Sequence, residues 1–363
     1  MSNTAIDLFC GAGGFSLGLR MAGFQIMGAL DHDLRAVETY RHNFGSIVYN
    51  DDARTFDVSV LHPLESATAP TVVVGGPPCQ GFSLQRRGDR SDERNDLVQV
   101  FLDTALLLKP KFFVIENVLG LVSKHGIEFQ RYVEDTARAA GYRCHTSKLN
   151  AADFGVPQIR WRAFIVGERL DDGRAFFRFP EPILSEGEYL NVRIGLRDLP
   201  SPPEDGTPHE EYWNHFRESR LSKTNRERIM CVPEGGGREY LPKHLELPCH
   251  VNNRSHRHLD TYGRLAWAKP SVTITARFDS FTRGRFGHPT EHRSLTLREG
   301  ARLQSFPDNF RFFGNREEVA RQIGNAVPPL LAKAIGGAII DALARRESNI
   351  EQLDELELQY SLL

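Results

Sequence analysis

The sequence lacks the features of secreted, membrane-spanning and disulfide-stabilised proteins. Its 363 residues include five cysteines, an odd number without paired spacing, so neither a disulfide framework nor a zinc ribbon is indicated. No apolar run approaches the roughly 20 residues that a membrane span needs. The first residues, MSNTAIDLF, have no basic start or apolar stretch typical of a signal peptide. These absences predict a cytoplasmic protein with reduced thiols, no metal and no membrane partner.

The chain also has little net charge, −2 at pH 7, but the charges are unevenly distributed. Between His250 and Arg298 there are nine Lys or Arg and three Asp or Glu, so this segment carries +6 and the other residues −8. A basic segment on an acidic body is typical of a localised nucleic-acid surface. A solvated charged face remains the alternative.

Short apolar runs alternate with helical patterns in the first half of the chain. The runs predict strands over 5–9, 26–30, 72–74, 112–115 and 159–166, and the periodicity predicts helices over 15–21, 34–40 and 97–108. This order predicts an α/β fold, a doubly wound, mostly parallel sheet with helices on both faces.

A change of composition near residues 180–208, where Pro, Gly and acidic residues accumulate, predicts a domain boundary. We expect a large catalytic and cofactor-binding domain over 1–185 and a smaller, irregular domain over 186–312. Helical periodicity then returns, which predicts a C-terminal segment over 313–345 that rejoins the first domain. Residues 346–363 are expected to form a charged helical tail.

The stretch 7-DLFCGAGGFSLG-18 places glycines between a predicted strand and a predicted helix. Gly11, Gly13 and Gly14 would let the backbone approach a nucleotide-like cofactor. Asp31 ends the next strand, 20 residues after Gly11, where a carboxylate can accept ribose hydroxyls. Ser16 replaces the third glycine of a dinucleotide cradle, which favours a cofactor without a pyrophosphate, such as S-adenosylmethionine. A purely structural glycine turn remains the alternative.

Four further motifs follow in order: 75-GGPPCQGFS-83, 115-IENV-118, 158-QIRWR-162 and 321-RQIGNAVPP-329. With these motifs the chain resembles the DNA cytosine-C5 methyltransferase family from Asp7 to about Gly337. The basic segment lies where that family has its target-recognition domain. Because the motifs start near residue 4 with no appended domain, the resemblance favours a stand-alone, monomeric enzyme of a microbial restriction-modification system that flips its base out of double-stranded DNA.

The resemblance implies covalent catalysis by a thiol. Cys79 would add to C6 of cytosine and so make C5 nucleophilic, and Glu116, kept protonated by burial, would act as the general acid at N3. Asn117 would orient its neighbours. Arg162 would contact the cytosine O2 and Arg160 would order the active-site loop, although a surface salt-bridge ladder is the alternative for both.

The resemblance also assigns binding residues. Asp31 departs from the Glu that the family usually has at the ribose position, and the choice between Asp51 and Asp52 at the adenine amine stays open, with Asp52 preferred. The cofactor residues are Phe9, Gly11, Gly13, Asp31, Asp52, Pro78, Asn325 and Val327. Gln85 would fill the space left by the flipped base, with a solvated loop position as the alternative, and Arg283 and Arg285 could read guanine or anchor phosphates. The DNA-binding candidates are Gln85, Arg86, Arg277, Arg283 and Arg285.

Three other function classes share parts of this pattern. A transfer-RNA cytosine-C5 methyltransferase has the same catalytic motifs, but 279-DSFTRG-284 has Ser where that subfamily usually has Cys. A nicotinamide oxidoreductase shares the fold but does not explain Cys79 together with Glu116. A catalytically inactive DNA-binding relative would be expected to have lost one of these two residues.

Overall fold

The computed structural model describes residues 3–62, 68–78, 96–122, 126–171, 173–217, 221–247 and 260–361. Three residues with predicted roles, Cys79, Gln85 and Arg86, lie outside this part of the chain. The described residues form one seven-stranded sheet in the order β3-β2-β1-β4-β5-β7-β6. Its strands are β1 Thr4–Leu8, β2 Gln25–Asp31, β3 Val48–Asn50, β4 Val72–Gly75, β5 Phe112–Asn117, β6 Tyr142–Asn150 and β7 Trp161–Arg169.

Neighbouring strands from β3 through β5 pair in parallel, and β7 pairs antiparallel with both β5 and β6. The predicted α/β fold with a mostly parallel sheet is confirmed. The strand predicted over 159–166 exists, but it begins at Trp161. Its direction is reversed because β6 and β7 form a hairpin-like pair at the sheet edge instead of a parallel crossover.

Helices cover both faces of the sheet, and an irregular region separates the first group of helices from the last. The helices are α1 Gly14–Met21, α2 Leu34–Phe44, α3 Asp96–Leu108, α4 Ile127–Ala139, α5 Val192–Gly195, α6 Lys223–Cys231, α7 Leu297–Leu303, α8 Arg316–Asn325 and α9 Pro329–Ser361. Helix α9 is continuous across residue 346, where the sequence suggested a separate tail.

Alternate residues of the central strands enter two apolar clusters, one on each face of the sheet. Val72, Val74 and Val114 pack with α1 and α9, whereas Val73 and Ile115 pack with α3 and α4. This alternation follows from the two-residue period of a strand. Two-sided burial explains why these strands are apolar runs in the sequence.

The long C-terminal helix belongs to the first of these clusters. By length and composition the stretch Arg316–Asn349 could cross a membrane, but 61% of its most apolar window is buried inside the protein. Gly18 of α1 allows the close approach, because a Cβ there would lie 2.4 Å from Ala332 Cβ. Close packing of α1 on α9 fixes the C-terminal segment against the glycine turn.

Residues 186–312, called here the irregular region, contain short helices, single helical turns and isolated β-bridges. Their apolar cluster includes Phe278, Phe286 and Leu295 and continues into Ile323 of α8 and Ala12 of the glycine turn. The irregular region therefore packs against the same edge of the sheet at which the glycine turn lies.

Candidate active site

The glycine turn leaves β1 and starts α1 in a conformation that favours glycine. Gly11 and Gly13 have φ values of +53° and +92°, in the left-handed region. A Cβ on Gly13 would lie 2.5 Å from the Phe44 ring and one on Gly14 would lie 2.4 Å from the Val327 carbonyl. The turn therefore needs glycine for its backbone conformation and for close packing against α2 and the C-terminal segment.

A cavity of about 280 Å³, called here the glycine-turn cavity, opens between this turn and the ends of β2, β4 and β5. The residues with predicted roles that line it are Phe9, Gly11, Asp31, Pro78, Glu116, Asn325 and Val327. Gly13 lies behind the lining. The structure thus gathers residues from both ends of the sequence at the carboxyl edge of the parallel strands, where ligands bind in open α/β sheets.

A second cavity of about 300 Å³, called here the adjoining cavity, shares Phe9, Asp31, His32 and Pro78 with the first. Asp51 and Asp52 both line it. Asp52 accepts a hydrogen bond from the Arg54 backbone N–H at 3.0 Å and pairs with the Arg54 guanidinium at 3.2 Å, whereas Asp51 caps the Asp52 N–H. Both carboxylates are exposed, so the geometry leaves the choice between them open.

Asp31 lies between the two cavities and holds the glycine turn in place. Its Oδ2 accepts the Gly11 N–H at 2.7 Å and its Oδ1 accepts the Asp33 N–H at 2.8 Å. Burial raises the pKa of Asp31, although these two backbone N–H groups lower it. A carboxylate has about four lone-pair positions, so acceptor capacity remains for ligand hydroxyls.

Glu116 ends β5 and faces the glycine-turn cavity. Its Oε1 lies 2.9 Å from Arg162 Nε, and its Oε2 faces Gly76, where an added Cβ would come within 3.1 Å. Burial raises the pKa of Glu116 above its usual value, although the Arg162 and Arg160 charges and the Arg162 hydrogen bond lower it. A buried carboxyl of this kind can hold a proton near neutral pH.

The two arginines of the QIRWR motif have different surroundings. Arg162 is partly exposed, pairs with Glu116 and donates from Nη1 to the Trp161 carbonyl at 2.8 Å. Arg160, just before β7, is only 1% exposed and donates to three backbone carbonyls. Neither residue belongs to a simple surface salt-bridge ladder.

Asn117 fixes the backbone that leads to Cys79. Its Nδ2 donates to the Pro77 carbonyl at 2.9 Å, and its Oδ1 accepts the Val118 N–H at 2.9 Å. Pro78, the last described residue before Cys79, lines both cavities. The chain therefore reaches Cys79 from the cavity wall.

Sequence reasoning missed a buried polar cluster below the glycine turn. Ser16 Oγ donates to Asp7 Oδ2 at 2.6 Å and lies 2.7 Å from the Tyr40 hydroxyl. Burial raises the pKa of Asp7 to about 7, although its hydrogen bonds with Ser16 lower it. The position that the dinucleotide pattern would fill with glycine is thus a hydrogen-bonding serine, and Asp7, which begins the DLFCGAGG motif, lines the cavity.

Other lining residues also carried no sequence signal of their own. Asp33 caps α2, and its Oδ2 lies 2.9 Å from Arg321 Nη2, so the ion pair joins α2 to α8 beside the cavity. His32 is exposed and lines both cavities. In the part of the chain that the structure describes, no three His, Cys, Asp or Glu residues form a group that could hold a metal ion.

Part of the basic segment is buried, although its composition suggests an exposed surface. Arg264, Arg293 and Arg298 are 2%, 5% and 0% exposed. Arg298 donates to the carbonyls of Trp213, Pro307 and Phe310, and Arg293 pairs with Glu299 at 2.7 Å. Part of the +6 charge therefore stabilises the irregular region from within.

The three DNA-binding candidates in the described part of this segment differ in their contacts. Arg277 pairs with Asp279 and Glu317, and Arg285 pairs with Asp260 and donates to the Gly235 and Gly236 carbonyls. Arg283 is exposed and makes no ion pair with any described residue. A second macromolecule can engage the Arg283 side chain without breaking an ion pair to any residue that the structure describes.

Comparisons with known proteins agree with this geometry. The family model for C-5 cytosine-specific DNA methylases matches residues 3–341. The chain is 37% identical to the Type II methyltransferase M1.HphI of Haemophilus parahaemolyticus, over 94% of this chain and 87% of that protein. It is 34% identical to the Type II methyltransferase M.DdeI of Desulfomicrobium norvegicum, over 92% and 88%.

Among solved structures, the chain is similar to a DNA modification methyltransferase encoded within an E. coli prophage. The two are 26% identical with a TM-score of 0.71, over 94% of this chain and 100% of the other. The chain belongs to the C-5 cytosine-specific DNA methylase family and is a methyltransferase that acts on carbon 5 of cytosine in DNA.

Proposed function

We propose that the chain is the modification methylase of a Type II restriction-modification system and takes its methyl group from S-adenosylmethionine. The observation that carries this proposal is one cavity in which a buried acid, Glu116, faces the glycine turn and the backbone leading to Cys79. The Type II methyltransferases to which the chain is similar support the assignment to such a system. We also propose that the protein acts in the cytoplasm and as a monomer.

The two connected cavities fit this cofactor. Asp31 offers free acceptor positions to the ribose between them, Asp52 is proposed at the adenine amine in the adjoining cavity, and Phe9 contacts both. Gly11, Asn325 and Val327, which line the glycine-turn cavity, would hold the methionine part, and Gly13 would shape the turn. Bound there, the cofactor supplies an electrophilic methyl group on a sulfonium.

Cys79 is proposed as the nucleophile that makes cytosine C5 reactive. Its thiolate would form a bond to C6 while Glu116 delivers a proton to N3, which makes C5 the nucleophilic carbon of an enamine. The bound cofactor would supply the methyl group that C5 takes. A base or ordered water would then remove the C5 proton, the C6–S bond would break so that Cys79 leaves as a thiolate, and the N3 proton would return to Glu116.

Glu116 and Arg162 are proposed to contact different atoms of the cytosine, N3 and O2. The raised pKa of Glu116 supports a protonated acid near neutral pH, and its Oε2, away from Arg162, is the oxygen available to N3. Arg162 has a terminal nitrogen beyond its Glu116 and Trp161 contacts, which is proposed to bind the cytosine O2. Asn117 keeps Pro77, and with it the approach of Cys79, in place.

The substrate is proposed to be a duplex with the target base flipped out. The descriptions of the family and of the prophage methyltransferase name DNA, which favours DNA over transfer RNA. Arg283 is the first candidate for a base or phosphate contact, because it is exposed. Gln85 and Arg86, which lie outside the described residues, remain proposed DNA contacts.

The first prediction tests the covalent step. Duplex DNA with 5-fluorocytosine at the target should form a denaturation-resistant adduct on Cys79 when S-adenosylmethionine is present, because fluorine cannot leave as the C5 proton does. Cys79→Ala should abolish both adduct and turnover, whereas Cys231→Ala, at an exposed thiol of α6, should keep both. Mass spectrometry of the cross-linked peptide identifies the residue.

An adduct on Cys10, Cys144, Cys231 or Cys249, or one that forms without the cofactor, would contradict the mechanism. Transfer of a labelled methyl group to transfer RNA but not to duplex DNA would replace the proposed substrate. Bisulfite sequencing of DNA from cells that express the chain then identifies the methylated cytosine.

A further inference from the structure

Arg160 joins two segments that are distant from it in the sequence. Its Nη1 donates to the Ile274 carbonyl at 2.8 Å, and its Nη2 donates to the Gly324 and Ala326 carbonyls at 2.9 and 3.0 Å. Ile274 belongs to the irregular region, and the other two residues belong to the end of α8. One buried guanidinium therefore binds the start of β7 to both segments.

The first segment is held through both backbone polar groups of one residue, Ile274. The Ile274 N–H donates to Gln158 Oε1 at 2.8 Å, so Gln158 and Arg160 together satisfy both backbone groups of Ile274. The Ser271 N–H donates to the Pro157 carbonyl, and Ser271 forms a β-bridge with Gln158. The irregular region therefore contacts the catalytic domain along residues 157–160.

The second segment surrounds Asn325 of the glycine-turn cavity. The carbonyls on either side of Asn325 are the two that Arg160 binds, and Gln304 Nε2 donates to the Ile323 carbonyl at 2.7 Å. The last carbonyls of a helix have no helical partners and carry partial negative charge, so a cation and an amide donor stabilise the end of α8.

The two segments also touch each other beside Arg160. A Cβ on Gly324 would lie 2.2 Å from the Thr275 carbonyl carbon and oxygen, a distance that only backbone movement could relieve. Gly324 is thus in direct backbone contact with the residue after Ile274. Any shift of either segment at this point displaces the other.

Arg160 has little left with which to touch a substrate. It is 1% exposed, both terminal nitrogens are bound to carbonyls, and it does not line the glycine-turn cavity, which Glu116 does line. Burial lowers the pKa of Arg160 well below its usual value and the Arg162 charge adds to this effect, whereas the Glu116 charge opposes it. A guanidinium nevertheless stays protonated in proteins, so the three carbonyl dipoles stabilise a buried cation.

We propose that Arg160 is a positioning residue that holds the Asn325 wall of the cavity and the Ile274 segment in register, and so sets the affinity for the cofactor without touching it. The proposal rests on the proposed function only in taking Asn325 as a cofactor residue. It also makes residues 274–276 the point at which a movement of the irregular region reaches the cofactor.

Arg160→Met removes all three carbonyl contacts, and Arg160→Lys keeps the charge and part of them. With Arg160→Met we expect the Kd for S-adenosylmethionine, measured by calorimetry without DNA, to rise at least about tenfold, with Arg160→Lys intermediate. The kcat at saturating cofactor should stay within about threefold of the wild type, since only ground-state positioning is lost. Arg162→Lys, at the proposed base contact, should show the reverse pattern: unchanged cofactor Kd and lower kcat.

Gly324→Ala perturbs the same joint from the other side and should raise the cofactor Kd as Arg160→Met does. Gly337→Ala in α9 is the matched control, because an added Cβ there meets nothing within 4 Å. Hydrogen exchange of cofactor-free Arg160→Met should be faster at both 323–327 and 274–276 than in the wild type. This readout does not depend on cofactor binding.

Unchanged exchange at both segments in a folded Arg160→Met protein would overturn the proposal. An unchanged cofactor Kd with a kcat loss like that of Arg162→Lys would overturn it too, and would make Arg160 a catalytic residue. A wild-type protein that fails to bind S-adenosylmethionine would instead refute the proposed cofactor, and the exchange experiment would still decide the role of Arg160.

Discussion

The sheet and the irregular region satisfy their backbone polar groups in different ways. In the sheet, N–H and C=O groups pair along ladders between strands, and apolar side chains cover both faces. The irregular region has few such ladders in its described part, so buried arginines bind its carbonyls: Arg264 binds those of Ile229, His288 and Glu291. Each guanidinium offers five donors, which suits backbone that curls around it. A positive charge in a sequence therefore does not by itself indicate a surface.

We expect the largest loss of stability when Arg298 of the irregular region, which is 0% exposed, is replaced. Arg298→Met leaves the Trp213, Pro307 and Phe310 carbonyls without their donor, and we expect a loss of about 3–5 kcal/mol in unfolding free energy. Ile165→Val in the sheet, also fully buried, should cost only about 0.5–1.5 kcal/mol. Urea unfolding of both variants measures the difference.

Two of the three tryptophans, Trp213 and Trp267, lie in the irregular region, so their fluorescence reports its loss. If Arg298→Met unfolds with the same midpoint and slope as the wild type, then the buried guanidinium is not what stabilises that region.

The two regions should also respond to pH with opposite signs. Burial lowers the pKa of His288 to about 4, and the Arg293 charge and hydrogen bond, against the effect of burial, lower the pKa of Glu299 to about 2. Because both pKa values are lowered in the folded protein, His288 and Glu299 both contribute stability at neutral pH. It falls as the pH drops from about 6.5 to 4 for His288 and from about 4.5 to 2 for Glu299.

Asp7 of β1, in the sheet, has the opposite linkage. Its pKa is raised from 3.8 to about 7, so its contribution is present below pH 3.8 and is lost as the pH rises to about 7. From pH 7.5 to 4.5, hydrogen-exchange protection factors, which correct for the pH dependence of the intrinsic exchange rate, should fall around His288 but rise around Asp7. His288→Gln and Asp7→Asn should each remove one of these trends, and parallel trends in both regions would contradict the assignment.

Ser16 tests whether a buried hydroxyl in the sheet domain matters as much as a buried guanidinium. Ser16→Ala leaves Asp7 Oδ2 and the Tyr40 hydroxyl without their shared partner, which should cost about 1–3 kcal/mol and raise the pKa of Asp7 further. Ser16→Gly, which restores the dinucleotide pattern, should be no better. Denaturation curves with a pH titration measure both effects, and a stabilised Ser16→Gly variant would mean that the position requires only a small residue.

The smallest effect on stability is expected at the exposed arginine of the irregular region. Arg283→Ala should change the unfolding free energy by no more than about 0.5 kcal/mol but weaken duplex binding. Arg285→Ala should destabilise the region instead, because Arg285 binds Asp260 and the Gly236 carbonyl. Binding assays over a salt series distinguish a base contact from a phosphate contact. If Arg283→Ala loses specificity at one base pair, Arg283 contacts that base. If the affinity of Arg283→Ala depends less steeply on salt concentration, Arg283 contacts a phosphate. Unchanged duplex binding would exclude Arg283 from the DNA surface.

The central strands of the sheet could be predicted because strands buried on both faces consist of consecutive apolar residues, as in 112–115. Strand β6, which is half-exposed and reads YRCHTSKLN, could not, since an edge strand needs no such run. The reversed direction of β7 also leaves no local signal. In the site, motif residues such as Glu116 and Asp31 could be named from the sequence, but nothing in the sequence distinguishes the buried Arg298 from the exposed Arg283. That difference depends on where the chain folds back on itself.

The cavity wall joins parts of the chain that are made at very different times. Gly14 touches Val327, and Thr39 donates a hydrogen bond to Gln322, 283 residues later. At about 5–20 residues per second, synthesis reaches the second half of this wall roughly 15–60 s after the glycine turn. A nascent chain therefore makes the strands of its sheet before the glycine-turn cavity has both of its walls, and a chain cut short before residue 321 would carry a glycine turn with no opposing wall. The glycine-turn cavity is complete only when translation is almost finished.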